Sequence, residues 1–287
     1  IQMALPLSKA LYFVANVRGT WGIVLLRLGL RRQTTISLDS YRFSSAWISN
    51  PGRVHRGRIE LQLSRDTVSF VHGGRKFRLY YGSIFQLRES IRSIVGIFYN
   101  DLYRFPAMDG TIVFDVGASV GDSTLYLAPY AKRIYAVEPY PYSYTILRRN
   151  IAINGLSSKV TAINAAVSDT SGRIELSTGR VSGITAFLAP SGSGTGVRVM
   201  TLGQLASLYK GTGKLSLKLN CLGYEDRIIL NSSPKDLARF SSMVVYTEHK
   251  GYSKLASRLS RGGFRVRVSK TRGRDQVLIF AVRRGAA

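Results

Sequence analysis

A strand–turn–helix pattern at residues 111–128, TIVFDVGASVGDSTLYLA, constrains the fold of this chain more than any other stretch. The charge-free apolar run IVF predicts a buried strand, and the apolar residues that follow the polar start at Asp122 predict a helix. Glycine lets a backbone take a positive φ angle or pass close to a ligand. Gly117 and Gly121 therefore predict a tight bend at a helix N-terminus, which suits an anion or a ligand carboxylate.

Predicted strands alternate with predicted helices from residue 111 onward, a pattern that indicates a mostly parallel sheet with helices on both faces. RIYAVEP predicts a second strand, PYSYTILRRNIAING a helix that stops at Gly155, and KVTAINAAVSD a third strand. KLSLKLN and SMVVYTE predict further strands, and a helix near 251–261 precedes an antiparallel hairpin formed by FRVRVSK and QVLIFAVRR. The glycine- and serine-rich stretch at 177–197 predicts a flexible loop beside the ligand.

Two acidic residues end the first two predicted strands of this sheet. In open parallel sheets, ligands bind outside the carboxyl ends of the strands, where the chain order switches. Glu138, at the end of the second strand, is placed to accept hydrogen bonds from two ribose hydroxyls, which predicts a nucleoside ligand. The turn GASVG lacks the middle glycine of the dinucleotide pattern. Asp115 would repel a phosphate but suit an ammonium. S-adenosylmethionine, a nucleoside that carries an amino acid, has both the ribose for Glu138 and the ammonium for Asp115. The alternative is that the glycines merely turn the chain.

A family resemblance rests on the stretches VFDVGASVGDSTLYLA, YAVEPYPYSYTILRRNIAINGL and VTAINAAVSDTSGRIEL, followed by VRVMTLGQL. They resemble the FkbM-type methyltransferases, a class I family dependent on S-adenosylmethionine, over residues 95–270. The resemblance implies an α/β fold with a Rossmann-like, mostly parallel seven-stranded sheet, and O-methylation of a sugar or other small-molecule hydroxyl. The predicted cofactor-binding residues are Asp115, Gly117, Ala118, Gly121, Glu138 and Asn164.

One stretch, KLNCLGYE, departs from that family's pattern at the fourth strand. Asn220 replaces the usual aspartate and Leu222 the usual glutamate, so a general base or a metal ligand is missing beside the reacting methyl group. Methyl transfer from a sulfonium needs in-line positioning above all, and a nitrogen acceptor could manage without a base. The predicted catalytic residues are Asn220, Glu248 and His249. Histidine has a suitable pKa of about 6.5, although a structural role for His249 is an equal alternative.

The charge of the chain is unusual, with 41 Lys and Arg against 16 Asp and Glu, a net +25. Such a balance favours a polyanionic partner such as nucleic acid or an acidic membrane surface, and an arginine-rich, heat-tolerant surface is the alternative. Residues 254–284 hold ten basic residues and one acid. We therefore expect RNA or an anionic membrane surface to bind at the C-terminal helix and hairpin.

The N-terminal segment, residues 1–33, predicts amphipathic helices with a break at Gly19 and Gly22. Its apolar residues at helical spacing are Leu7, Leu11, Val14, Trp21, Leu25 and Leu28. Its charge-free runs are shorter than the roughly 20 residues of a transmembrane helix. The segment either packs onto the main domain or lies in a membrane interface.

The predicted domains are this segment, a small antiparallel β and helical lobe at 34–105, and the S-adenosylmethionine-binding domain at 106–287. The single cysteine, Cys221, excludes a disulfide framework, and three scattered histidines make a metal site improbable, so no metal is predicted. We expect a cytoplasmic protein, with attachment to a membrane surface as the alternative. Three functions compete: a small-molecule methyltransferase, an RNA-directed methyltransferase, and a catalytically lapsed fold that binds polyanions.

Overall fold

The chain divides into two compact units, residues 1–102 and 103–287. The computed structural model describes residues 17–39, 58–81, 84–176, 188–190, 196–221, 223–247, 251–270 and 276–285. Within these ranges, the helices are too short or too polar to cross a membrane. The predicted domain boundaries at 33/34 and 105/106 stay predictions.

A five-stranded antiparallel sheet forms the N-terminal unit, with its strands in chain order. The strands are β1 (Val17–Arg18), β2 (Gln33–Asp39), β3 (Arg58–Ser64), β4 (Thr67–His72) and β5 (Arg75–Tyr80). Apolar residues alternate with polar ones along β3, and Ile59, Leu61 and Leu63 are almost fully buried. Gly73 and Gly74 take positive φ angles in the turn between β4 and β5. The antiparallel strands that the sequence predicts for this part of the chain are therefore confirmed.

Two helices lie among the described residues of the same unit, α1 (Thr20–Arg27) and α2 (Ile84–Ser93), and a π-helical turn (Ile94–Tyr99) follows α2. The predicted helix break at Gly22 is wrong, because Gly22 lies buried inside α1. The predicted apolar stripe is also not the buried face, since Trp21 and Leu28 are exposed while Leu26 is buried. Gly19 does mark a boundary, as the residue before α1 with φ 89°. Leu7, Leu11 and Val14 lie outside the described residues.

A seven-stranded sheet forms the centre of the second unit, in the order β15-β16-β14-β13-β6-β7-β8. These strands are β6 (Ile112–Val116), β7 (Arg133–Val137), β8 (Val160–Ile163), β13 (Leu215–Leu219), β14 (Phe240–Thr247), β15 (Phe264–Lys270) and β16 (Val277–Arg283). The five strands from β14 to β8 are parallel, and β16 is antiparallel to both β14 and β15. The predicted fold class and C-terminal hairpin are confirmed.

Six helices are described in this unit: α3 (Asp122–Leu127), α4 (Pro141–Ile153), α5 (Leu202–Ala206), α6 (Glu225–Asn231), α7 (Pro234–Leu237) and α8 (Tyr252–Arg261). Pro141 is the first residue of α4. A backbone N–H at that position has no acceptor within the helix, so proline, which lacks the N–H, costs no hydrogen bond there. On one side of the sheet, Phe114, Leu217 and Val245 pack with Leu255 and Leu259 of α8 in a single buried cluster. This core fixes the strand ends that carry the site.

The third predicted strand is two strands in the structure. β8 belongs to the large sheet, whereas β9 (Ala165–Val167) joins a four-stranded sheet of order β11-β10-β12-β9. Its other strands are β10 (Gly172–Leu176), β11 (Leu188–Pro190) and β12 (Val197–Met200). The chain passes from one sheet to the other at Asn164. The side chain of Asn164 donates hydrogen bonds to the backbone carbonyls of Glu138 and Pro139, which follow β7. Most of the predicted flexible loop at 177–197 lies outside the described residues.

Candidate cofactor and active site

The turn after β6 depends on glycine at both of its predicted positions. Gly117 has φ 73° and Gly121 φ 95°, the left-handed region that side chains disfavour. A Cβ atom at Gly117 would overlap the backbone carbonyl of Asn220, and one at Gly121 would lie 2.8 Å from Leu147 Cδ1. The N–H groups of Gly117 and Ala118 donate to the Val137 carbonyl at 3.0 Å. The turn therefore joins the ends of three neighbouring strands.

Asp115 is fully buried at the end of β6, and its polar contacts come from within the domain. Its Oδ2 accepts hydrogen bonds from Ser123 Oγ at 2.8 Å and from Thr124 Oγ1 at 2.6 Å. Its Oδ1 forms an ion pair with Lys218 Nζ at 2.9 Å. The carboxylate thus fastens the start of α3 to the sheet. These contacts give no support to the expectation that it meets a ligand ammonium, and its role in cofactor binding stays a prediction.

Lys218, on β13, links Asp115 to the glycine turn. Its Nζ also donates to the Gly117 carbonyl at 2.9 Å and lies 5.1 Å from the centre of the Tyr103 ring. Burial opposes the charged form, but the Asp115 carboxylate outweighs it, and the pKa of Lys218 lies above its ordinary value. The ammonium therefore stays charged and fixes the backbone of the turn. This role was not evident from the sequence.

Glu138 follows β7 and lies beside the same turn, with 8% of its surface exposed. Its Oε2 accepts a hydrogen bond from Ser119 N at 2.9 Å, and its Oε1 accepts one from Tyr140 N at 2.9 Å. Burial raises the pKa of Glu138 to about 7, although these two N–H groups act in the opposite direction. A carboxylate has about four acceptor positions, so two backbone donors leave capacity for ligand hydroxyls.

Asn164 holds the segment that carries Glu138. Its Nδ2 donates to the carbonyls of Glu138 and Pro139, each at 2.9 Å. Ala118 is fully buried in the glycine turn. The structure thus brings the predicted cofactor residues together at adjacent strand ends, and the direct contact of each with the cofactor stays a prediction.

Asn220 lies immediately after β13, and its backbone N–H donates to the Val116 carbonyl at 3.1 Å. Its Nδ2 donates to Tyr103 Oη at 2.9 Å. Tyr103 is 3% exposed, and burial raises its pKa, whereas Lys218 and Asn220 act in the opposite direction. The sequence does not predict a role for Tyr103 at this site, because an aromatic residue shortly before a proline matches no catalytic or binding motif. The Tyr103 hydroxyl group accepts the hydrogen bond that orients the Asn220 amide.

Glu225 is the first residue of α6 and holds the loop after β13. It is 1% exposed, its Oε1 accepts a hydrogen bond from Cys221 N, and its Oε2 accepts one from Gly223 N at 2.9 Å. Burial raises its pKa against the effect of these donors. Leu222, Glu248 and His249 lie outside the described residues.

Residues 103–181, which contain all six predicted cofactor-binding residues, match the family model of the TRM5/TYW2 methyltransferase domain. The methyltransferase sdnD of Sordaria araneosa is 38% identical over 79 residues, which cover 26% of this chain and 29% of that protein. The chain therefore spans less than a third of the length of this curated relative.

Solved structures of similar fold include three methyltransferases. FkbM of Methylobacillus flagellatus KT is 14% identical, with a TM-score of 0.45, covering 69% of this chain and 55% of that chain. An rRNA methylase of Streptococcus thermophilus is 13% identical, with a TM-score of 0.43, covering 64% and 95%. TYW2 of M. jannaschii in complex with AdoMet is 16% identical, with a TM-score of 0.38, covering 75% and 85%.

The family match confirms two predictions for the second unit, a methyltransferase domain and S-adenosylmethionine as its cofactor. The matching family model is that of TRM5/TYW2, whereas the sequence resembles the FkbM-type family. Residues 103–181, the part of the second unit that the match covers, accordingly belong to a methyltransferase domain.

Proposed function

We propose that this protein transfers the methyl group of S-adenosylmethionine to a hydroxyl group of a sugar or another small molecule. The observation that supports the proposal best is the Glu138 carboxylate, buried at the end of β7 and held at 2.9 Å by an N–H of the glycine turn. A buried acid with free acceptor positions, beside a backbone that admits no side chain at Gly117, fits the ribose of a nucleoside cofactor.

Glu138 and the glycine turn would hold different parts of the cofactor. Glu138 would accept hydrogen bonds from the ribose hydroxyls, and Asn164 keeps the Glu138 segment in place. The turn from Gly117 to Gly121, whose backbone is fixed by Lys218, would hold the amino-acid end of the cofactor. S-adenosylmethionine supplies an electrophilic methyl group on a sulfonium. The protein's contribution to the rate is then to exclude water and to orient the acceptor in line with that methyl group.

Asn220 occupies the place where the resembled family has an aspartate, and its amide does not accept a proton at neutral pH. It acts as a hydrogen-bonding group that orients the acceptor, and Tyr103 Oη fixes the amide. Deprotonation falls either to His249 or Glu248, or to bulk water after transfer. This arrangement is compatible with an acceptor that needs no strong base, including a nitrogen.

The experiment that tests the proposal measures transfer of labelled methyl from S-adenosylmethionine into two pools, small-molecule glycosides and total RNA. We expect label in the small-molecule pool, and we expect Glu138→Gln to remove most of it. Glu175→Gln, an exposed acid on β10, is the matched control and should keep wild-type transfer. Absence of label in both pools despite cofactor binding would refute the proposed reaction.

A second candidate, methylation of RNA, is favoured by the basic C-terminal surface. Arg265 and Arg267 are exposed on β15 while Phe264 is buried, so the two guanidinium groups project from the same face. Lys254 and Arg261 of α8 are also exposed. Label in RNA that disappears in Arg265→Gln/Arg267→Gln, with an RNA affinity that falls steeply with salt, would replace the first candidate by the second.

A further inference from the structure

The helix α1 of the N-terminal unit is held against the sheet by one narrow face. Gly22 and Leu26 are buried on that face, and a Cβ atom at Gly22 would overlap Thr34 Oγ1 of β2. Such an approach is possible only for glycine, so the helix cannot roll on the sheet without losing this fit. The direction in which the other face points is therefore set by packing.

That other face is apolar and exposed. Trp21 is 78% exposed, Val24 44% and Leu28 67%, and their spacing of three and four residues places them on one side of α1. We name Trp21, Val24 and Leu28 the Trp21 face. Of the seven large hydrophobic side chains that are exposed in the described part of the chain, four lie between residues 21 and 30. Scattered exposed apolar residues are ordinary, whereas a contiguous group marks an interaction surface.

The segment that carries the Trp21 face is basic, and the first acid that follows it in the sequence is Asp39, the last residue of β2. Residues 17–38 contain four arginines and neither aspartate nor glutamate. Arg18, Arg31 and Arg32 are exposed near the two ends of α1. An apolar face bordered by positive charge is complementary to a partner that offers hydrocarbon and negative charge together.

We propose that the Trp21 face docks the protein on an anionic lipid surface. Tryptophan and aliphatic side chains enter the boundary between headgroups and acyl chains, and arginines pair with the phosphates or serine carboxylates above it. Nucleic acid would satisfy the arginines but would leave Val24 and Leu28 in water. A short helix fixed by Gly22 presents these side chains without any rearrangement of the sheet. The docking is independent of the proposed methyl transfer.

Sedimentation of the full chain with vesicles tests the proposal. We expect binding to vesicles of phosphatidylcholine and phosphatidylserine, and little binding to phosphatidylcholine alone. Trp21→Ser/Leu28→Ser should weaken binding at least about tenfold, because two exposed apolar side chains no longer enter the interface. The matched control is Val71→Ser/Leu208→Ser, which removes two exposed apolar side chains elsewhere. The control should bind as the wild type does.

Two further variants make the test independent of folding and of overall charge. Trp21→Phe keeps the apolar face, so vesicle binding should persist while brominated lipids quench less of the tryptophan fluorescence. Arg31→Gln/Arg32→Gln should weaken binding to the anionic vesicles more than Arg265→Gln/Arg267→Gln, which removes the same charge from β15.

Three results would overturn the proposal. The first is a wild-type protein that does not bind anionic vesicles near physiological salt. The second is equal vesicle binding by Trp21→Ser/Leu28→Ser and its matched control. The third is use of the same side chains for another partner by a protein that does not bind vesicles. Analytical ultracentrifugation would then show a dimer that Trp21→Ser/Leu28→Ser disrupts, or an RNA-binding assay would show binding that this variant abolishes.

Discussion

Asp115 and Glu138 end neighbouring parallel strands, and both are buried, yet their surroundings differ. Asp115 has a lysine at 2.9 Å and two hydroxyl donors, all from side chains of the domain. Glu138 has two backbone N–H donors and a pKa raised by burial to about 7. The side chains of the domain neutralise the Asp115 carboxylate, whereas the Glu138 carboxylate keeps acceptor positions for a ligand.

The difference separates a structural acid from a ligand-binding acid at the same edge of a sheet. A buried charge that is paired within the fold stabilises it only as part of the pair, and removal of one partner is costly. A buried acid without a bonded cation is a burden to the folded state, which a ligand offering hydroxyl donors relieves. Buried acids with raised pKa values mark candidate functional sites on this ground.

Removal of the Asp115 carboxylate should give the largest effect. Asp115→Ala leaves the Lys218 ammonium buried without its counter-ion, and we expect the free energy of unfolding to fall by about 3–5 kcal/mol. Urea denaturation of the second unit measures the change. Asp115→Ala/Lys218→Met should recover most of the loss, because both charges are then gone. An equal loss in Asp115→Ala and Glu138→Ala would break the distinction between the two acids.

The glycine turn offers a matched pair of substitutions with the same backbone strain. Gly117 has φ 73° and Gly155 has φ 67°, but only at Gly117 does a Cβ atom meet the Asn220 carbonyl. We expect Gly155→Ala to cost about 1–2 kcal/mol in unfolding free energy, and Gly117→Ala at least about twice that. Cofactor affinity, measured by calorimetry, should fall in Gly117→Ala alone. Equal costs and affinities would show that the close approach is dispensable.

The pH dependence of stability should identify Glu138. Its folded pKa of about 7 lies above the ordinary 4.5, so the folded state holds this proton more tightly. The contribution is therefore fully present below pH 4.5 and is lost as the pH rises through 7. The wild type should lose up to about 3 kcal/mol across this window relative to Glu138→Gln. Denaturation at several pH values measures the difference, and Glu175→Gln should retain the wild-type slope.

Sequence periodicity predicted most of the fold because most strands of the large sheet are short apolar runs, and β15 alternates apolar with basic residues. Glu138 and the two glycines were also predictable, since a parallel sheet brings its carboxyl ends together. Lys218 and Tyr103 were not, because their roles depend on a side-chain contact with Asp115 and with Asn220 across other strands. The orientation of α1 was missed because Gly22, which the sequence marks as a helix breaker, is the residue that packs.

The cofactor titration tests the central claim most directly. Calorimetry of S-adenosylmethionine against the wild type at about pH 8, where Glu138 is ionised, should show binding. Glu138→Gln should weaken that binding by about 1–3 kcal/mol, the range for a hydrogen bond lost in a buried site, and Glu175→Gln should leave it unchanged. Absence of binding heat in the wild type, or equal affinities of the wild type and Glu138→Gln, would contradict the account.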